Sequence, residues 1–156
     1  MRTETMNYEE AIKSLKKKFP FRELNVELTN ICNLRCPLCF TGRGETEDPR
    51  GKMDYEKFVL FIDNCSFLFD KVSFIGSGDP GLHPQFARFI RYVVKEKGLT
   101  AQCSTNGHIM DEPEALVHSG LYKIFIDIDG INQAQHEIYR IGANLDKVFN
   151  NIRKLI

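Results

Sequence analysis

Apolar residues recur along the chain with two different periods. From Asn7 to Phe19, residues Tyr8, Ala11, Ile12, Leu15 and Phe19 fall on one helical stripe, and Glu9 and Lys13 are spaced to pair across a turn. This predicts a helix, which Pro20 ends. Leu24 to Leu28 alternates instead, with Leu24, Val26 and Leu28 on one face, and predicts a strand. Met53 to Asn64 returns to helical spacing, with Tyr55, Phe58, Val59 and Ile62 inward and Asp54 as the cap. Lys71 to Ile75 predicts a second strand. Pro84 to Lys97 gives the clearest helix, with Phe86, Phe89, Ile90, Val93 and Val94 as its stripe, Pro84 in its first turn and Gly98 as its stop. Leu99 to Cys103 predicts a third strand. Asp111 and Glu114 are spaced as a capping box for a short helix through Ser119. Leu121 to Ile128 predicts a fourth strand, with Ile124, Ile126 and Ile128 on one face and Phe125 and Asp127 on the other. Leu145 to Ile156 predicts a closing helix.

Strands separated by helices imply parallel pairing with right-handed crossovers. The fold class is therefore α/β, a partial (β/α) barrel of about four units. Residues 1–22 form a helix and lead-in, and residues 23–156 the core. In such folds chemistry sits where strands end, so the loop after each strand is the place to look.

Charge narrows the function. Basic and acidic residues balance at 21 each, which leaves no electrostatic footprint for nucleic acid. Lys16, Lys17 and Lys18 read as a solvated helix face. No apolar run is long enough for a membrane, and the N-terminus does not read as a signal peptide. Five cysteines, three of them in one loop, do not form a secreted disulfide framework and point to a reducing cytoplasm.

Those three are Cys32, Cys36 and Cys39, spaced C-x3-C-x2-C directly after the first predicted strand. Three thiolates in one loop can turn onto one metal centre. A structural zinc site asks for four ligands, and no fourth lies nearby: His83 is the nearest histidine, and Cys65 and Cys103 are distant. The set suits a cubane iron–sulfur cluster with one iron left open; a zinc site or a redox thiol group is the alternative. Thr41 to Lys52 reads as a mobile surface loop. After the second strand comes Gly76-Ser77-Gly78-Asp79-Pro80-Gly81. It is not a phosphate-binding loop and, taken alone, is a tight turn. Asn106-Gly107 after the third strand is a second turn. Asp127 and Asp129 point the same way at the end of the fourth, either as a metal or general-base site or as a strand end meeting water. Arg140 is either a carboxylate binder or a surface arginine.

The stretch Thr29-Asn30-Ile31-Cys32-Asn33-Leu34-Arg35-Cys36-Pro37-Leu38-Cys39-Phe40 resembles the signature of the radical S-adenosylmethionine (SAM) superfamily. Continued through Gly44, it resembles the branch with extra cluster-binding C-terminal domains of the SPASM or twitch type. The resemblance implies a 4Fe–4S cluster on Cys32, Cys36 and Cys39, with SAM chelating the open iron. It implies reductive cleavage of SAM to methionine and a 5′-deoxyadenosyl radical, which abstracts hydrogen from a small-molecule or peptide substrate. An electron donor such as flavodoxin or ferredoxin is implied as partner. Ser77, Gly78, Asp79 and Pro80 fall on the family's Gly-Gly-Glu-Pro motif, which contacts the SAM amino group; Ser77 replaces a glycine and Asp79 the glutamate. Asn106 falls near SAM, Asp127 where a serine touches the ribose, and Arg140 where an arginine meets the SAM carboxylate. Leu38 stands where the family usually has an aromatic residue. Family cores carry six β/α units, so the core here is expected to be incomplete. An iron–sulfur or zinc module, or an inactive barrel scaffold without SAM cleavage, is the alternative reading.

Overall fold

The structure is a computed structural model that describes residues 7–18, 22–45 and 47–156. Helix α1 spans Tyr8–Lys18, and β1 spans Glu23–Val26. The short α2 (Phe40–Arg43) precedes α3 (Tyr55–Cys65), β2 (Lys71–Phe74) and α4 (Phe86–Arg91). Then come β3 (Thr100–Thr105), α5 (Pro113–His118), β4 (Lys123–Ile126), α6 (Gln133–Tyr139) and α7 (Leu145–Arg153). The four strands form one sheet in sequence order, all pairs parallel, with Val26 beside Phe74, Phe74 beside Cys103 and Cys103 beside Ile124. This is the α/β architecture expected from the alternation of periods.

One face of the sheet is the core. Val26, Val72, Phe74, Ala101 and Cys103 pack with Phe58 and Ile62 of α3 and Phe89 and Ile90 of α4. Phe58 lies 4.8 Å from Phe89 and 6.1 Å from Phe74, ring centre to ring centre. Burying each such ring contributes about 2 kcal/mol, so this cluster holds α3 and α4 against the strands. The opposite face is polar. Gln102 donates to Ser73 Oγ at 2.8 Å and to Glu23 Oε1 at 3.1 Å, linking three strands, and Lys71 pairs with Glu23 Oε2 at 2.6 Å.

Several local expectations are corrected. Helix α1 buries none of its residues, and Tyr8 only meets the ring edge of Phe67 at 6.4 Å; Phe19 and Pro20 lie outside the described residues. The stripe is real, but the sheet does not use it. The long helix from Pro84 begins later, at Phe86, and its second half, Tyr92–Glu96, is a π turn with Lys97 N donating to Tyr92 O at 3.3 Å. The capping box of Asp111 and Glu114 does not form. Pro113 occupies the first turn, where its fixed φ starts the helix, so Glu112 takes the cap position without a side-chain bond. Helix α6 was not legible as a helix; Asn132 caps it, accepting from Gln135 N at 3.0 Å. The Asp54 cap does form, accepting from Lys57 N at 2.9 Å.

Candidate functional site

The cysteine loop begins where β1 ends, and three segments frame it. The first is 47–52, expected to be mobile. It runs back against the chain instead: Met53 N donates to Leu28 O at 2.8 Å, Thr29 Oγ1 to Gly51 O at 2.7 Å, and Gly51 N to Asn30 Oδ1 at 2.8 Å. These bonds satisfy polar groups that a free loop would leave to water.

The second frame is the glycine turn after β2. Asp79 N donates to Ile31 O at 2.9 Å. A Cβ on Gly78 would stand 2.2 Å from Thr29 O and 2.6 Å from Ile31 O, both backbone atoms. Only glycine allows this approach, so the turn carries the cysteine loop by direct backbone contact. The third frame arrives from α6 and the loop beyond it. Arg35 N donates to Ile141 O at 3.0 Å, and Leu34 and Cys36 are buried with Ala143 against Tyr139. Within the loop, Cys39 N donates to Cys36 O at 3.1 Å and Cys39 opens α2.

The cysteine loop, the glycine turn and the end of α6, with the ends of β3 and β4, line a cleft of about 220 Å³ at the C-terminal ends of the strands. Cys32, Cys36 and Cys39 line it together with Ser77, Gly78, Asp79, Asn106, Asp127 and Arg140. Of the candidate residues marked in the sequence, Pro80 and Asp129 do not line it. Pro80 is buried and opens a single 3-10 turn, where it stiffens the turn from behind.

Each side chain has a definite environment. Asp79 is buried, 4 % exposed, with its carboxylate held by donors from the protein. Oδ1 accepts from Gly81 N at 2.9 Å and Thr105 Oγ1 at 2.8 Å, and Oδ2 from Asn106 N at 2.7 Å. Burial pushes its pKa up, against the pull of these donors. Its carboxylate thus ties the end of β2 to the end of β3. Arg140 donates through Nε to Asp129, and its Nη2 lies 3.5 Å from Asp127 Oδ2. That pairing fastens the loop after β4 to the end of α6. Ser104 Oγ donates to Asp127 Oδ2 at 3.4 Å.

Burial pushes the Cys32 and Cys36 thiols up, so a cationic centre would be needed to hold both as thiolates. Among the described residues, no three Cys, His, Asp or Glu side chains are grouped tightly enough for a single metal ion. A cluster spreads its thiolates over separate irons, and three cysteines around one cleft fit that demand. Thr41, buried just beyond Cys39, has a hydroxyl with no partner, a donor left over inside the same loop. Cys103 has no such setting: it is fully buried in the core, its thiol pushed up to about 12 by burial and, secondarily, by Asp79.

Asn33, His108 and Tyr139 belong to the site or its support and were not singled out in the sequence, whereas Thr105 lies in the Thr-Asn-Gly stretch that the family resemblance marks. Asn33 sits beside Cys32, which the motif did mark. His108 and Tyr139 carry no local signal, because their partners are distant in the chain. His108 meets Asn33 Nδ2 at 3.2 Å and receives Asn144 N, the cap of α7, at 3.0 Å.

Comparison with known proteins follows this geometry. A model of the radical SAM superfamily matches residues 26–156, from the last residue of β1 through β2, β3, β4 and all three framing segments. The chain belongs to the radical SAM superfamily. Members of this enzyme superfamily work with a 4Fe–4S cluster and SAM, and they need a reductant and a substrate. A tungsten-containing aldehyde ferredoxin oxidoreductase cofactor-modifying protein of Pyrococcus furiosus is 32% identical over 138 residues, 85% of this chain and 38% of its own length. A probable GTP 3′,8-cyclase of Methanocaldococcus jannaschii is 25% identical over 145 residues, 91% of this chain and 48% of its own. Among solved structures, Streptococcus suis SuiB bound to S-adenosylmethionine superposes with a TM-score of 0.71 at 15% identity, over 95% of this chain and 36% of that one. The radical SAM chain described here thus spans less than half the length of these relatives. No helix among the described residues is long and apolar enough to cross a membrane.

Proposed function

We propose that the chain forms the first part of a radical SAM enzyme's core, residues 23–156, behind a lead-in of residues 1–22. Cys32, Cys36 and Cys39 hold the 4Fe–4S cluster. When bound, the cluster supplies the single electron that cleaves SAM to methionine and a 5′-deoxyadenosyl radical, which then abstracts hydrogen from a substrate. The observation that carries this is the cleft itself: three thiols from one loop share it with Ser77, Gly78, Asn106, Asp127 and Arg140.

The chain's own groups divide the work of binding SAM. Gly78 and the exposed main chain of Ser77 present backbone groups to the amino group. Arg140 supplies the guanidinium for the carboxylate, exchanging it for the present contact with Asp127. Asp127, released, accepts from the ribose hydroxyls. Asp79 acts through the main chain it fixes. The names of the relatives concern cofactor modification and a GTP cyclisation, which supports a substrate from cofactor biosynthesis over a peptide. The donor is a small reduced carrier such as flavodoxin or ferredoxin, in a reducing cytoplasm that keeps all five described cysteines free.

The test is anaerobic iron and sulfide reconstitution, with iron counting and EPR of the reduced protein with and without SAM. The expected result is a reduced 4Fe–4S signal that changes when SAM is added. Cys32→Ala, Cys36→Ala and Cys39→Ala each lose the iron; Cys65→Ala and Cys103→Ala keep it. Iron retained in any of the first three variants, or zinc bound in place of iron, overturns the reading.

A further inference from the structure

Asn106 follows the last residue of β3, and its side chain has one orientation available. Its Oδ1 accepts from the backbone N–H of His108 at 2.9 Å. A backbone N–H can only donate, so the amide oxygen belongs on that side and the NH2 on the other. The NH2 donates to Asn33 Oδ1 at 3.0 Å and lies 3.8 Å from Cys32 Sγ, within reach of a hydrogen bond to sulfur. The main chain is held as well, since Asn106 N donates to Asp79 Oδ2 at 2.7 Å. The residue is 5 % exposed. Donor, direction and distance are therefore set by the protein alone.

Such a donor has a chemical consequence. A hydrogen bond to a ligating sulfur stabilises charge on it, and reduction adds one negative charge to the cluster behind it. We propose that Asn106 is a positioning residue for Cys32 whose amide donates to that sulfur and makes the cluster easier to reduce. The inference rests on the reading of Cys32, Cys36 and Cys39 as cluster ligands. Asn33, the neighbour of Cys32, accepts from the same NH2, so one amide steadies both the ligand and the loop that carries it. The arrangement couples the end of β3 to the electron transfer that starts the reaction.

The experiment compares reconstituted wild type with Asn106→Ala and Asn106→Asp by redox titration followed by EPR, with iron and sulfide counted in each. Asn106→Ala removes the donor. Asn106→Asp keeps the size and the acceptor for His108 N–H but turns an oxygen toward the sulfur, and it carries the test if the alanine variant does not fold. Asn106→Ala is expected to make reduction about tenfold less favourable, a midpoint about 59 mV more negative for one electron. Asn106→Asp is expected to shift it further the same way. A lost side-chain contact that only loosened the fold would lower iron content and leave the potential of the loaded fraction in place. An unchanged midpoint in loaded variants, alongside a Cys36→Ala control that loses its iron, overturns the role of Asn106 and leaves the cluster reading standing. Iron retained in the Cys36→Ala control overturns both.

Discussion

Asp79 carries its charge into the protein, and that decides what it can do. Four donor contacts from Gly81, Thr105 and Asn106 occupy its oxygens. Asn at this place would turn an NH2 toward donors. Asp79→Asn is therefore expected to cost about 2 kcal/mol, read as a lower urea midpoint at unchanged slope. Arg140 is different, because its two carboxylate partners can be exchanged for a third. Arg140→Lys keeps the charge and loses the fork, so the Kd for SAM should rise about tenfold by calorimetry. An unchanged Kd would leave Arg140 as a fastener for Asp127 and Asp129 alone. His83 sets a pH dependence. Its Nε2 lies 3.0 Å from Met53 O and its Nδ1 accepts from Gln85 N, so the ring is held neutral, and burial lowers its pKa. The folded protein then binds fewer protons than the unfolded chain. Stability is full above about pH 6.5 and falls as the pH drops below it. His83→Gln should flatten that part of the stability curve in urea titrations from pH 7 to 5. The family resemblance marks Asp79 and Arg140, and both line the cleft, whereas the direction of the Asp79 carboxylate was not legible in the sequence. Gly81, two residues on, is a local partner, but Thr105 and Asn106 lie 26 and 27 residues away, and a local reading cannot see donors that come from the end of another strand.

Among the elements, the strands and the helices that cover the core were the most legible, since burial on one face imposes a period that survives in the sequence. Element ends are less legible: the third strand, expected over Leu99 to Cys103, runs on to Thr105. The strand expected over Leu121 to Ile128 is regular only across Lys123–Ile126, with Tyr122 N donating to Ala101 O and Asp127 N to Thr105 O at its two ends. Helix α1 shows the reverse failure: its period is intact, yet only the turn at Ser66–Leu68 meets the stripe and no residue of the helix is fully buried. The glycine turn after β2 is the element on which the site depends most. A methyl group at Gly78 would press on backbone atoms of Thr29 and Ile31 that cannot rotate away. Gly78→Ala should cost about 3 kcal/mol and displace the cysteine loop. The check is twofold: a lower melting temperature, and loss of iron uptake at temperatures where the variant is still folded. Uptake equal to wild type would mean that the loop finds its place without the turn.

For the whole molecule, the sheet has two edges. Among the described residues β1 pairs only with β2 and β4 only with β3. Beside β4, the side chains of Leu116, Val117, Leu121, Ile124 and Leu155 line an apolar hollow of about 190 Å³. Relatives more than twice as long as the matched region carry further chain. Open strands and apolar hollows template association, so the chain as given should sediment as a concentration-dependent mixture of monomer and larger species. A monomer at all concentrations would mean the edges are already protected. The cysteine loop has one more property that follows from its third frame. Ile141 and Ala143 close the loop from behind, yet a ribosome delivers them about a hundred residues after Cys32. At roughly 5–20 residues per second, the three thiols wait on the order of ten seconds for their back wall. During that interval they are open to any oxidant or stray metal the cell supplies, so the fidelity of this centre is a matter of timing during synthesis as well as of geometry in the finished fold.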